Sequence, residues 1–309
     1  MEKVTTVLQV IVPIFAAIFL GMLARKTRTI TPEENRGLQQ FVVQYGLPCV
    51  LFNSCLNCEL GAEAVTSMAL LLPLLLASVL WAFRAGRKKH PYHNFPMIFV
   101  AKESGMLGIP LFMALFGAEQ AYRMGVLDIT QAIVATPTLA ILSTAVDENP
   151  TPGQVAKRVL RSPILIMSLL GLGFNLTGVM DWLNGFGVGA IITETTSFIA
   201  EPVSAAILFS VGYNFSMEKG NRGEIFRISA LQFAFFGVIC LVIQGALFLV
   251  PSVEPETRWA AALYCALPAS FLVPSLGRNE EEYTLGSGVC SVMTVVSLLI
   301  FCVMSVLVA

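Results

Sequence analysis

The chain has 309 residues, 56% hydrophobic and 13% charged, with a net charge of −1 and a mean hydropathy of +0.75. Soluble globular domains carry about 25% charged residues, so this composition excludes a soluble chain built on one large core and indicates a polytopic membrane protein. The near-neutral net charge says nothing about partners.

Ten segments reach the roughly 20 mainly apolar residues that a bilayer crossing needs: 4–24, 38–56, 64–84, 95–116, 124–146, 162–180, 191–214, 225–250, 259–276 and 283–308. They predict one all-α membrane domain over 1–309 with short connections. The first, Val4–Leu23, lacks a basic n-region and an A-x-A site and reads as a retained span. At the end of span 2, Cys55 and Cys58 form a C-x-x-C, but no second pair or nearby histidine completes a metal or redox site. Basic residues alternate along the chain. One side receives Arg25, Lys26, Arg28, Arg36, Arg84, Arg87, Lys88, Lys89, Lys157, Arg158, Arg161, Lys219, Arg222, Arg227 and Arg278; the other receives Lys3, Arg123 and Arg258. Fifteen against three is a strong positive-inside bias. It places both termini on the extracytoplasmic side of a plasma membrane, a bacterial inner membrane in this reading.

Landmarks recur between the halves 1–148 and 155–309. Pro13 precedes Gly21 by eight residues in span 1, as Pro163 precedes Gly171 in span 6; Pro48 in span 2 answers to Pro202 in span 7, and Pro110 in span 4 to Pro268 and Pro274 in span 9. Five spans per half force opposite orientations, which predicts a 5+5 inverted repeat of the kind found in secondary transporters.

Span 4, containing "KESGMLGIPLFMALFG", carries residues that penalise a lipid-embedded helix. With Asn94 as N-cap, Lys102 lies about eight residues in, roughly 12 Å along the axis, against a half-thickness of about 15 Å. A central charge costs about 2.5–3.5 kcal/mol and an internal proline about 3 kcal/mol. Such a segment persists only where protein or water covers it, so the helix is expected to break around Gly105–Pro110. Span 9, "ALYCALPASFLVPSLG", is its short, twice proline-interrupted mate. Half-helix N-termini at such breaks favour anions.

The candidate substrate-binding residues are therefore Lys102, Glu103, Ser104, Gly105, Gly108, Pro110, Pro268, Ser270, Pro274, Asn53 and Thr294. Lys102 either contacts an anionic substrate or pairs with Asp128, Glu194 or Glu201. Glu103 is a proton-coupling candidate or a carboxylate fixed by the lysine or by backbone amides; Asp128 and Glu201 are further coupling or ion-pair candidates. Thr136, Thr138, Ser287 and Ser291 serve substrate or helix packing. The only histidines, His90 and His93, lie in the basic "KKHPYHN" loop and read as a solvated turn, so an intramembrane Ser-His or metallohydrolase centre lacks its base or ligands. No G-x-x-x-x-G-K-[ST] loop is present. No enzymatic activity, metal or cofactor is expected.

The motifs "FVVQYGLPCVLFNS", "ESGMLGIPLFMALFG", "RSPILIMSLLGLGFNLTGV" and "AILFSVGYNF" resemble the auxin efflux carrier family, in the right order through nearly the whole chain. The resemblance implies a fold like that of the bile acid symporters. Spans 1, 2, 6 and 7 would be the scaffold, spans 3–5 and 8–10 the moving transport domain, and spans 4 and 9 would cross at their breaks. Gly108 and Pro110 match the family's Gly-x-Pro at the first break, and Pro268 its proline at the second. One position departs. Where the family usually has an asparagine before the first break, this chain has Glu103 preceded by Lys102, and a carboxylate there repels an anion unless protonated or neutralised.

The expected function is secondary transport of a small organic anion, a carboxylate such as malonate or malate or an aromatic acid, by elevator-like alternating access. The alternatives are a sodium-coupled symporter, with Glu103, Gln131 and Asn53 as a thin supply of ligands, and a receptor that binds without translocating. The implied partners are the anion, a proton or sodium ion, the bilayer and a second copy of the chain, with no nucleic acid.

Overall fold

The computed structural model describes residues 2–56, 62–89, 92–143, 161–215, 222–250 and 253–308. Among them the regular elements are helical, and the one strand-like feature is an isolated antiparallel bridge between Lys102 and Ala269. The helices are α1 (Glu2–Thr27), α2 (Pro32–Phe41), α3 (Leu47–Leu56), α4 (Ala62–Lys89), α5 (Phe95–Ile98), α6 (Ile109–Phe116), α7 (Ala121–Ser143), α8 (Pro163–Thr177), α9 (Val179–Asn184), α10 (Val188–Ala200), α11 (Val203–Asn214), α12 (Arg222–Phe248), α13 (Pro255–Ala266) and α14 (Glu280–Val308). Five stretches are long and apolar enough to cross a membrane; they lie in α1, α4, the α10–α11 pair, α12 and α14. Ser104–Phe116 and α8 are apolar but shorter.

The prolines act in different ways. Pro13 lies inside the continuous α1, whereas Pro163 stands at the start of α8, where its missing N–H costs nothing. In span 2 a π-helical turn, Val42–Gly46, precedes Pro48, and in span 7 a turn at Glu201–Pro202 separates α10 from α11. The glycines matched between the halves do share a role. Gly21 lies against the backbone of Phe209 and Tyr213 on α11, and Gly171 against the backbone of Phe52 on α3. These contacts make α1·α11 and α3·α8 the two tightest helix pairs. The α1·α11 pair is further fixed by Arg25, which donates to the carbonyls of Tyr213 (3.4 Å) and Phe215 (3.0 Å) at the end of α11. Cations and donors suit the unpaired carbonyls at a helix C-terminus.

A Cβ at Gly21 or Gly212 would overlap the Phe209 or Ile18 carbonyl oxygen, both backbone atoms that cannot swing away. Gly212→Val is expected to separate α1 from α11 and to lose the monodisperse peak of the detergent-purified protein. Gly237→Val, on an open face of α12, should keep that peak. Equal behaviour of the two variants would contradict this packing.

The remaining helices enclose the interrupted span 4. Behind it Trp81 of α4 stacks on Phe235 of α12 (centroids 4.7 Å apart) and packs edge-on to Phe99 (5.0 Å), with Phe95 beside Phe99 (4.9 Å). Two polar clamps close the ends. Arg123 of α7 binds Glu63 of α4 (2.6 Å), Glu254 and Thr257 of the α13 start, and Gln120 (2.7 Å), while Glu63 also accepts the Glu254 N–H (3.2 Å). At the other clamp Glu282 of α14 accepts the N–H groups of His93 (3.2 Å) and Arg278 (2.9 Å), and Asn94 donates to the Glu282 carbonyl (2.8 Å). In each, a carboxylate at the start of one helix holds the chain leading into an interrupted span.

Two expectations are corrected here. Asn94 stands at the N-cap position of α5, but its side chain makes no capping bond and reaches across to Glu282 and Val273 instead. His93 is not a solvated turn residue, because its Nε2 lies 2.6 Å from the Leu142 carbonyl. Cys58, His90, Lys157, Arg158, Lys219 and the end of span 5 lie outside the described residues.

Candidate functional site

Span 4 breaks upstream of the expected place. After the single turn of α5 the chain leaves helical geometry over 99–103 and resumes as a π-helical turn, Ser104–Gly108, that runs into α6. Gly108–Pro110 is therefore helical. The π turn bonds Gly108 N–H to the Glu103 carbonyl (3.0 Å) and Ile109 N–H to Ser104, and Pro110 then falls in the first turn of α6, where no N–H is needed. Gly108 has a packing reason: a Cβ there would come within 2.7 Å of Leu267. Span 9 ends its helix at Ala266, and Leu267 is extended (ψ 155°), as a residue preceding proline prefers. Turns over 271–273 and the 3-10 turn Pro274–Leu276 follow before α14 begins, so the helix covers only part of 259–276.

The two breaks meet. Glu103 N–H donates to the Pro268 carbonyl (3.0 Å) and Ser270 N–H to the Ala101 carbonyl (2.9 Å), flanking the Lys102–Ala269 bridge. Exchanging Lys102 with Ala269 turns one bond into the other, a local two-fold relation between positions 167 residues apart.

The backbone groups freed by the breaks are satisfied from other helices. In an antiparallel bridge the N–H and C=O of Lys102 point away from Ala269. Gln131 of α7 takes both: its Oε1 accepts the Lys102 N–H (2.7 Å) and its Nε2 donates to the Lys102 carbonyl (2.9 Å). The same amide accepts from Tyr264 Oη (2.6 Å) and donates to Ser104 Oγ (3.3 Å). Gln232 of α12 donates to the Ile98 carbonyl at the end of α5 (3.0 Å), and Ser297 of α14 to the Ala266 carbonyl at the end of α13 (2.6 Å). Unpaired backbone groups at this depth would cost several kcal/mol each.

Glu103 Oε2 accepts the Phe271 N–H (2.6 Å), and Ser104 Oγ donates to Asp128 Oδ1 (2.5 Å). Asp128 is half-buried, close to Gly105, and Gly105, Met106, Ser270 and Phe271 are half-buried beside it. This side of the crossing thus holds two carboxylates, Asp128 half-buried and Glu103 buried. The Lys102 ammonium faces elsewhere: the residue is 2% exposed, with Nζ 3.8 Å from the Phe236 ring centroid and without a hydrogen-bond partner among the described residues. None of the carboxylates considered for it is its partner. A desolvated ammonium over an aromatic face gains about 2 kcal/mol, of the order of the insertion cost of the charge.

Several expected site residues are engaged in other contacts. Asn53 pairs with Thr196 (2.6 Å) and Ser197 (3.3 Å), joining α3 to α10. Thr294 bonds to the Cys290 carbonyl of its own helix (2.8 Å), and Thr138 likewise to Val134 (2.8 Å). Glu194 and Glu201 are exposed on and just after α10, which packs on α3. Pro274 packs against Gly286. Tyr264, Gln232 and Phe236 were not foreseen; of these Gln232 alone carried a signal, as an amide inside an otherwise apolar span.

A family model described as membrane transport protein matches residues 6–308. The chain belongs to this membrane transport protein family, the auxin efflux carrier family of the sequence resemblance. Family membership with several apolar helices makes it a multi-pass membrane transporter. A curated protein of Methanothermobacter thermautotrophicus, described as an uncharacterized transporter, is similar at 23% identity over 310 residues, covering 96% of each chain.

Proposed function

We propose that this member of the membrane transport protein family is a proton-linked secondary carrier of a small organic anion, working by elevator-like alternating access. In this reading the ten segments cross the membrane as two oppositely oriented sets of five, 1–148 and 155–309, with both termini extracytoplasmic in a bacterial inner membrane. The tight α1·α11 and α3·α8 pairs form the scaffold, and spans 3–5 and 8–10 move against it. The meeting of the two interrupted spans at Lys102 and Ala269 carries the reading, because interrupted helices of two inverted halves meeting at the midplane are how such carriers build a site. The matched contacts of Gly21 and Gly171 support the same relation.

Substrate is assigned to the side of the crossing made by Glu103, Ser104, Gly105, Ser270 and Asp128. Two carboxylates there oppose an anion unless a proton accompanies it, which is the ground for proton linkage. The test is counterflow in proteoliposomes with labelled malonate, malate and aromatic acids at several pH values, with sodium or potassium outside. Saturable, pH-dependent counterflow that ignores the cation is expected. A requirement for sodium would move the chain to the bile acid symporter type of coupling, and binding without exchange would make it a receptor.

A further inference from the structure

The Glu103 carboxylate sits where a free carboxylate would be expected to bind. It accepts the Phe271 N–H at 2.6 Å, with the Ser270 hydroxyl and the Met106 amide close by. These groups come from both interrupted segments, Met106 just after the first break and Ser270 and Phe271 just after the second. We propose that Glu103 is a tethered stand-in for a ligand carboxylate, occupying a carboxylate niche at the crossing and setting specificity by keeping free carboxylates out of it.

Three observations carry this. The niche is independent of the side chain that fills it, because the bonds from Glu103 N–H to Pro268 and from Ser270 N–H to Ala101 are backbone bonds that survive truncation of Glu103. Its donors match a carboxylate, since bonds from neutral N–H and O–H groups to an ionised acceptor are about twice as strong as neutral ones. It lies just below the surface, since Glu103 retains 8% exposure and Gly105, Met106, Ser270 and Phe271 are half-buried. The groups facing Glu103 from other helices are Asp128 of α7 and Cys290 of α14, with Lys102 on its own segment turned toward Phe236. No basic side chain is ion-paired to Glu103 among the described residues, and its carboxylate accepts from the Phe271 backbone N–H. A substrate carboxylate must then displace Glu103 or bind elsewhere.

The inference rests on the crossing being the transport site, but its test does not need transport. Purified wild type, Glu103→Ala and Glu103→Gln are heated in sodium formate, sodium acetate or sodium chloride at equal ionic strength. In Glu103→Ala, formate and acetate should raise the unfolding midpoint saturably by roughly 3 °C or more over chloride, whereas wild type and Glu103→Gln, with the niche filled, should show no difference. An absent shift in Glu103→Ala, or an equal one in wild type, overturns the proposal. If Glu103→Ala does not fold in chloride, purification in acetate decides: recovery supports a vacated niche and failure overturns it. A carboxylate-specific shift without counterflow of any acid would leave the niche and remove the carrier reading; counterflow without the shift would do the reverse.

Discussion

Gln131→Ala is expected to destabilise the purified protein by about 2–5 kcal/mol and to abolish counterflow. The substitution orphans three buried groups at once, the Lys102 N–H, the Lys102 carbonyl and the Tyr264 hydroxyl. Interhelical hydrogen bonds in membranes are worth about 0.6–1.7 kcal/mol each by double-mutant cycles. Soluble proteins give about 1–3 kcal/mol for each group left unsatisfied, so the lower scale is the basis here. The hydrogen bonds should outweigh the lost volume. Gln131→Met keeps most of the volume without the amide and should therefore resemble Gln131→Ala, while Tyr264→Phe, which removes one bond, should cost no more than about 1.5 kcal/mol. Hydrogen exchange gives a local readout, since the Lys102 amide should exchange faster in both Gln131 variants. If Gln131→Met proved as stable as wild type, the amide would not be what holds the crossing.

The sequence made the presence of an interruption legible and misjudged its position, for a physical reason. Lysine, glutamate, glycines and proline crowded into one apolar span can survive only under cover, and that argument needs no partner. Where the helix opens depends on what receives the freed backbone groups. The receivers are Pro268 and Ser270 in the other half and Gln131 on a neighbouring helix, none visible from local propensity. The proline pointed to the wrong turn because a π-helical register upstream of it removes the need for its N–H. Lys102 was legible as costly, and carboxylates were the natural partners to consider. The partner found is one of 21 phenylalanines, and nothing in composition or spacing distinguishes Phe236 from the others. The glycine landmarks survived because their requirement, contact of backbone with backbone, is local to each helix pair and tolerates no side chain. Asn53 and Thr294 find their hydrogen-bond partners on a neighbouring helix and on their own helix, which a polar residue within a span can do without any signal in the sequence.

The second large effect is expected at the clamp around Arg123, far in sequence from either break. Arg123→Ala should cost about 3–5 kcal/mol, the range for removing one partner of a buried pair and leaving the other charge uncompensated. The Arg123 and Glu63 side chains are only 6% and 16% exposed, whereas that of Glu254 is 49% exposed. Glu254→Ala should therefore cost about 0–1 kcal/mol, as for a solvated pair. Arg123→Ala combined with Glu63→Leu should be milder than the sum of the single changes, because each removes the charge that the other had stranded. The site should feel the loss as well. Arg123 opens α7, which carries Asp128 and Gln131, and its partners stand at the starts of α4 and α13, the latter leading directly into the second break. Loosening the clamp frees both helices that position the crossing. Thermal unfolding of the four variants decides: equal costs for Glu254→Ala and Arg123→Ala, or strict additivity of Arg123 with Glu63, would show that the clamp is not the buried ion pair described here.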